Sequence, residues 1–210
     1  MHVYFVRHGQ TGLNSAHRHQ SPNTPLSAEG REQMVSCASM LRDINPDLLV
    51  TSEYTRARES ARIIGLHTGL TPVTNGLFYE IERPSTLYHK SIFSIETVWY
   101  VLLSVLRRKN TVWRYADAEN MHDIIERAYK ALAYIESLRD THKSVVIVSH
   151  TVFINIMISY MCKNTSLSIF TLIHTFFRVG RMKNASVIHV EYSGDGSSHT
   201  CAWRIVKDVV

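Results

Sequence analysis

The sequence predicts an α/β fold: a three-layer sandwich in which a mostly parallel central sheet is flanked by helices. Two short apolar runs, Val3–Val6 and Val145–Val148, have the composition of buried central strands, and each leads to a histidine. Apolar residues recur at helical spacing at 28–43 and at 119–141. The 210 residues suffice for one such core without disulfides, so we expect a single domain over 1–210.

The first predicted strand leads directly into a polar loop. Arg7, His8 and Gly9 follow Val3–Val6 without an intervening residue. In open α/β sheets the ligand crevice lies at the carboxyl ends of the strands, which places Arg7 and His8 where chemistry is usually done. Gly9 allows the backbone to turn sharply or to approach a ligand closely.

The next elements follow from caps and breakers. After a polar loop over 12–26, Ser27 is a suitable N-cap for the helix at 28–43. A strand over 47–51 comes next, and then a helix from Tyr54 to about Leu66 that Gly69 and Pro72 terminate.

The most apolar stretch of the chain is 92–106, which we predict to be a helix that ends near Arg107. It is shorter than the roughly 20 residues that a membrane span needs, and it contains Glu96, so we expect no membrane span. Whether this helix packs on the core or covers a pocket stays open at this point.

The second half of the chain repeats the opening pattern. The helix at 119–141 leads to the strand at 144–149, which delivers His150. A helix over 151–162 follows, and 165–177 is apolar without a clear period. The alternating segment 185–192 predicts a strand, Gly194–Gly196 a turn, and 202–207 a last strand.

Several segments carry a resemblance to the histidine phosphatase superfamily, also called the phosphoglycerate mutase-like family. Arg7–Thr11, with the sequence Arg-His-Gly-Gln-Thr, resembles its signature at the end of the first strand, and Asn14 stands where the family has a phosphate-binding Asn. Pro25–Gly30 is similar to its Pro-Leu-Ser/Thr-x-x-Gly segment. Val148-Ser149-His150 resembles its second histidine motif, although Thr151 stands where Gly is common.

The segment 51–61 is similar to the family's Ser-x-Leu-x-Arg-Ala-x-x-Thr-Ala, which makes Arg56 the second phosphate-binding arginine by resemblance. Arg58 is the rival, but two residues along a helix correspond to about 200° of rotation, so both cannot face one pocket. Leu77–Glu82 resembles the short segment that brings the general acid. Glu80 is the better match, and Glu82 stays an alternative because it shares a side with Glu80 in an extended chain.

The resemblance implies a metal-independent phosphatase that forms a phosphohistidine on His8. It assigns Arg7, Arg56, His150 and Asn14 to phosphate binding, and Glu80 to general acid catalysis. Arginine forks and neutral donors suit this chemistry because the transferring group spreads charge over three oxygens. Only 83–118 has no matching segment; in the family this region is a variable insertion that caps the pocket and sets substrate choice, and the alternative is that it packs on the core.

Composition limits the remaining possibilities. The net charge of +5 is dispersed, which favours a solvated surface over nucleic-acid binding. Cys37, Cys162 and Cys201 are odd in number and far apart, as expected of reduced thiols in a cytoplasmic protein, and the start of the first strand near Met1 predicts no cleaved leader. His17 and His19 flank an arginine without a nearby Cys or acid, so we expect neither a metal nor another cofactor.

Three functions fit these residues. The first is hydrolysis of a small-molecule or peptide phosphomonoester. The second is a phosphoglycerate mutase, although that branch follows its acid with Arg-His-Tyr-Gly and this chain has Ile81–Pro84 after Glu80. The third is a non-catalytic phosphate-binding module, whose mark would be the loss of His8, Arg56 or His150. The natural substrate and the oligomeric state do not follow from the sequence.

Overall fold

A computed structural model describes residues 1–161, 182–193 and 202–209. Its strands are β1 (His2–Arg7), β2 (Leu48–Thr51), β3 (Val73–Thr74), β4 (Ser144–Ser149), β5 (Val187–Tyr192) and β6 (Trp203–Val209). Its α-helices are α1 (Gly12–Ser15), α2 (Ala28–Ile44), α3 (Thr55–Thr68), α4 (Ile95–Leu106), α5 (Met121–Ser137) and α6 (Thr151–Met161). Two short 3-10 turns occupy Gly76–Phe78 and Ser85–Leu87.

The strands form one mixed sheet in the order β3-β2-β4-β1-β5-β6. The pairs β3·β2, β2·β4 and β4·β1 are parallel, whereas β5 and β6 add to one edge in antiparallel orientation. Arg7 at the end of β1 pairs with Ser149 at the end of β4. The predicted α/β fold with a mostly parallel sheet is confirmed.

Helices cover both faces of the sheet, and the central strand β1 shows how. Val3 and Phe5 belong to the cluster on the face that α5 and α6 cover. Tyr4 and Val6 belong to the cluster on the face that α2 and α3 cover. Since successive side chains of a strand point to opposite faces, a strand buried on both faces reads as a continuous apolar run, as 3–6 does.

The predicted ends of α2 and α3 lie within two residues of those in the structure, whereas α4 begins at Ile95 and not at 92, and α5 spans Met121–Ser137 and not 119–141. Ser27 caps α2 by accepting a hydrogen bond from the backbone N–H of Gly30. The helix α3 ends at Gly69, whose φ of 75° lies in the left-handed region that glycine adopts without strain. The turn α1 was not predicted, and a reciprocal capping box between Thr11 and Asn14 stabilises it.

The helix α4 lies away from the two main clusters. Only Thr97 and Tyr100 of α4 are buried, and Tyr100 packs with Leu87 and Ala118 in a small separate cluster. The segment before α4 is attached to the loop after β1, because the backbone N–H of His19 donates to the carbonyl oxygen of Lys90 at 2.9 Å. A capping role for 83–118 stays a prediction.

The strands predicted at 185–192 and 202–207 are present as β5 and β6. Several predictions fall outside the described residues: the apolar segment 165–177, the turn at Gly194–Gly196, Cys162 at the end of the predicted sixth helix, and Cys201. Cys37 is a free, buried thiol, and burial raises its pKa to about 12.

Candidate active site

Three neighbouring parallel strands deliver their following residues to one edge of the sheet. β1 leads to His8, β4 to His150 and β2 to Ser52. The backbone continues the ladder for one more residue, since His8 N–H donates to Ser149 O at 3.1 Å and Ser52 N–H donates to Val148 O at 2.9 Å. These side chains are therefore positioned by the sheet itself.

His8 is buried and its tautomer is fixed. Its Nδ1 lies 2.7 Å from the carbonyl oxygen of Gly9, which can only accept, so Nδ1 carries the proton. The Nε2 lone pair accepts a hydrogen bond from Arg56 Nε at 3.2 Å. Burial, and then the charges of Arg56 and Arg7, hold the pKa of His8 well below its usual range, so the imidazole is neutral at pH 7.

Arg56 is a nearly fully buried arginine in the first turn of α3. Its Nη1 donates to Ser21 O at 2.9 Å, and its guanidinium lies 5.0 Å from the ring centre of Tyr54. Burial lowers its pKa to about 10, an effect that the charge of Glu80 partly opposes, so the group stays charged at pH 7. Arg58, the rival in the sequence, is exposed on the same helix.

His150 is completely buried beside His8, with 5.1 Å between the ring centres. Its Nε2 lies 2.8 Å from Ser52 Oγ, and its Nδ1 has no hydrogen-bond partner in the described part of the chain. Burial, and then the charge of Arg56, lower the pKa of His150 well below its usual range. Thr151 begins α6 without a positive φ, so this position does not require the glycine common in the family.

Arg7 lies between the buried site and an open depression. Its Nη1 donates to the carbonyl oxygen of Met182, while its Nε is buried without a partner among the described residues. Burial lowers the pKa of Arg7 to about 10, and the charge of Glu80 opposes that shift. The depression has a volume of about 430 Å³ and is lined by Arg7, Asn14, Ser15, Gln33, Lys183 and Asn184.

Asn14 is held at this depression by two contacts. Its Oδ1 accepts from Thr11 N–H at 2.9 Å, and its Nδ2 donates to Asn184 Oδ1 at 3.0 Å. Asn14 and Arg7 thus line the same depression.

Glu80 and Glu82 have different surroundings. The Glu80 carboxylate is buried at the start of α6 and accepts from the backbone N–H groups of Phe153 at 3.1 Å and Val152 at 3.3 Å. Glu82 is exposed, and burial of part of its side chain and the charge of Glu119 raise its pKa. The 3-10 turn Gly76–Phe78 contains Leu77 and Phe78, the first two residues of the Leu77–Glu82 segment, so this segment is not extended throughout.

For two residues that bond the site, the sequence predicted no role. Ser52 bonds His150, and its place at the end of a strand neighbouring β4 was the available signal. Asn184 bonds Asn14 across 170 residues, and no local pattern connects the two.

The histidine pair in the loop after β1 takes no part in this cluster. His19 is buried and its Nε2 lies 2.8 Å from Thr97 Oγ1 of α4, whereas His17 is exposed. Within the described residues, no group of three or more His, Cys, Asp or Glu side chains could hold a metal ion.

The two histidines at strand ends, together with Arg7 and Arg56, are the residues that define a class of proteins, and comparison with known families agrees. The model of the histidine phosphatase superfamily, branch 1, matches residues 3–203, so the chain belongs to that superfamily. A relative named "Probable phosphoglycerate mutase GpmB" from Salmonella arizonae is 25% identical over 193 residues, covering 91% of this chain and 85% of the relative.

Solved structures share the fold. A mycobacterial glucosyl-3-phosphoglycerate phosphatase superposes with a TM-score of 0.74 at 22% identity, covering 100% of this chain and 98% of that chain. An alpha-ribazole phosphatase from Shigella flexneri superposes with a TM-score of 0.73 at 17% identity, with the same coverage. The family thus has both phosphatase and mutase-like members among the relatives of this chain.

Proposed function

We propose that this protein is a phosphomonoesterase that transfers the phosphoryl group to Nε2 of His8 and then to water. One observation carries the proposal: a neutral His8 with its proton held on Nδ1 presents the Nε2 lone pair to a guanidinium. A phosphate seated on Arg56 would bring its phosphorus within reach of that lone pair. No separate base is needed to activate such an imidazole.

The surrounding groups suit the charge of the transferring phosphoryl group. Arg7 and Arg56 offer planar forks that stay charged, and Arg7 Nε and His150 Nδ1 are buried without partners in the described part of the chain. A buried polar atom without a partner is costly, and phosphate oxygens would satisfy both. The Ser52 hydroxyl can donate to His150 Nε2, which leaves the proton on Nδ1 for a phosphate oxygen.

The reaction then has two balanced steps. His8 Nε2 attacks phosphorus in line, the bond from phosphorus to the ester oxygen breaks, and Glu80, acting as general acid, gives a proton to the leaving alkoxide. Water next attacks the phosphohistidine and loses a proton to the Glu80 carboxylate. Inorganic phosphate leaves and the Nε2 lone pair is restored.

The test is hydrolysis of an aryl phosphate in excess chelator, with wild type and His8→Ala compared and the protein assayed for acid-labile, base-stable phosphate. We expect chelator-resistant turnover and a phosphoenzyme that both disappear in His8→Ala. A folded wild-type protein with neither turnover nor phosphoenzyme would favour the non-catalytic phosphate-binding module. Turnover that the chelator abolishes would contradict the metal-independent route.

A phosphoglycerate mutase is the second candidate, because the relative described above is named as one. A mutase must keep the phosphoryl group and return it to a second hydroxyl instead of passing it to water. Exchange between phosphoglycerate isomers that exceeds phosphate release would assign this function. We favour the phosphatase because Ile81–Pro84 differs from the Arg-His-Tyr-Gly segment that follows the acid in the mutase branch.

We further propose a small-molecule or peptide phosphomonoester as the substrate and the cytoplasm as the location. The widely spaced cysteines support a reducing compartment. No helix among residues 1–161, 182–193 and 202–209 is long and apolar enough to cross a membrane.

A further inference from the structure

The helix α4 turns its apolar side chains toward solvent and its polar side chains toward the protein. At about 100° per residue, one face about 100° wide contains five apolar residues. These residues and their exposed fractions are Ile95 (83%), Val98 (59%), Trp99 (55%), Leu102 (45%) and Leu106 (65%). Thr97, Tyr100 and Ser104 occupy the opposite side, where Thr97 and Tyr100 are buried.

This outward face, which consists of Ile95, Val98, Trp99, Leu102 and Leu106, continues into the turn before α4. Phe93 is 75% exposed and Ile92 is 38% exposed. Single exposed apolar side chains are ordinary, whereas a contiguous group of seven marks a surface that binds something. On its inner side α4 is attached to the rest of the protein, since Thr97 Oγ1 lies 2.8 Å from His19 Nε2 and Tyr100 packs with Leu87 and Ala118. The helix is therefore seated in its observed orientation and has not simply been left unpacked.

Basic residues lie at both ends of the outward face. Arg107, Arg108 and Lys109 follow the last turn of α4, and none of the three forms an ion pair with a described residue. At the other end, Lys90 Nζ lies 3.0 Å from Oε1 of Glu96, the one carboxylate of α4. Arg18 is exposed in the loop after β1, where its backbone forms an isolated β-bridge with Ser91. The rim of the apolar face is thus net positive.

We propose that the outward face of α4 adsorbs to an anionic membrane surface, with the helix lying among the lipid headgroups and not spanning the bilayer. A helix with an apolar face that includes an aromatic residue, flanked by Lys and Arg that outnumber the nearby carboxylate, has the chemistry of interfacial binding. Basic residues near the membrane add attraction to anionic lipids. A second copy of the chain fits less well, because pairing two such faces would bring positive rims together.

The test is sedimentation of the full chain with vesicles of phosphatidylcholine and phosphatidylserine, compared with phosphatidylcholine alone. We expect partition into the anionic vesicles that falls with added salt. Arg107→Gln with Lys109→Gln should lower the partition about thirtyfold at low ionic strength, because each basic residue near the surface contributes about fivefold. Trp99→Gln with Leu102→Gln should abolish it.

Matched controls lie on α3, where Leu66 is 79% exposed and Arg58 and Arg62 are exposed. Leu66→Gln, and Arg58→Gln with Arg62→Gln, should sediment like wild type. Equal binding to both kinds of vesicle, equal losses in the controls, or no sedimentation would overturn the proposal. A dimer that dissociates in the Trp99 and Leu102 variant, without vesicle binding, would assign the face to a second copy. The assay needs no turnover, so its outcome is independent of the phosphatase proposal.

Discussion

At the scale of single residues, Arg56 and Arg58 show how much two positions on a helix matter. Arg56 reaches His8 Nε2, whereas Arg58 projects into solvent. We expect Arg56→Ala to lower kcat/KM on an aryl phosphate by a factor of about 100 to 1,000, the usual effect of losing one donor to a transition-state oxyanion. Arg58→Ala should leave kcat/KM nearly unchanged. Equal losses in steady-state assays of the two variants would contradict the assignment.

The two carboxylates of the same segment permit a second residue-scale prediction. Glu80 is buried beside α6 and Glu82 is exposed. A general acid matters most when the leaving group is a poor one, because a poor leaving group needs its proton in the transition state. Glu80→Gln should therefore slow an alkyl phosphate much more than a nitrophenyl phosphate. Glu82→Gln is the control, and a larger leaving-group effect at Glu82 would move the acid there.

At the scale of elements, the loop after β1 crosses the first turn of α2 at two glycines. A Cβ at Gly30 would stand 2.0 Å from Gln10 O, and one at Gly9 would stand 2.4 Å from Gly30 O. The backbone contact is possible only without side chains, and it fixes the loop that carries His8. This contact explains why Gly30, the last residue of the Pro25–Gly30 segment, affects the position of His8, which follows a different element.

Gly30→Ala should destabilise the protein by about 1 to 3 kcal/mol and lower turnover, because the inserted methyl group displaces the loop after β1. Gly12→Ala is the matched control, since no atom lies within 4 Å of a Cβ at Gly12. The measurement is urea unfolding followed by a turnover assay under native conditions. Similar unfolding midpoints for Gly30→Ala and wild type would show that the crossing tolerates a side chain.

The helix α5 supports the segment that brings Glu80. Arg127 bonds both carboxylate oxygens of Glu119, at 2.9 and 2.7 Å, and donates to Leu77 O and Tyr79 O. Its guanidinium lies 3.7 Å from the ring centre of Tyr79. Arg127 therefore connects α5 to the backbone immediately before Glu80.

Arg127→Leu should cost about 3 to 5 kcal/mol of unfolding free energy, because it leaves the Glu119 carboxylate buried without its partner. The double variant with Glu119→Leu should recover part of that loss, since no unpaired charge remains. Urea unfolding of the single and double variants gives the coupling between the two residues. A double variant less stable than Arg127→Leu would contradict this explanation.

At the scale of the whole molecule, buried neutral histidines make stability depend on pH. Burial lowers the pKa of His19 to about 4, and His8 and His150 shift in the same direction. The unfolded chain takes up these protons as the pH falls below about 6.5, whereas the folded chain does not. Above that pH, proton uptake by these histidines therefore does not affect the free energy of unfolding. As the pH falls below it, protonation of the unfolded state lowers the free energy of unfolding.

Between about pH 6.5 and pH 4, His19 alone should lower the unfolding free energy by up to about 1.4 kcal/mol per pH unit. His19→Gln should make the dependence measurably shallower, whereas His122→Gln, at an exposed position of α5, should not. Urea unfolding at several pH values measures both slopes. The same slope in wild type and His19→Gln would show that His19 is not held neutral in the folded state.

Local patterns in the sequence predicted most of the elements, because their causes are local. Ser27 and Gly69 cap helices with their own neighbours, and Val145–Val148 is apolar because a central strand is buried on both faces. The α1 turn was missed because its capping box needs only two polar residues, Thr11 and Asn14, inside a segment that otherwise reads as loop.

The sequence by itself determined the α/β class and identified the candidate site residues, which are Arg7, His8, Arg56, Glu80 and His150. Tertiary structure decided what no local pattern contains: that β4 lies between β1 and β2, and that His8 accepts a bond from Arg56. It also decided that α4 shows its apolar side to solvent. The physical reason is that caps and periodicity act between near neighbours, whereas burial, charge and pairing depend on residues that are far apart in the chain.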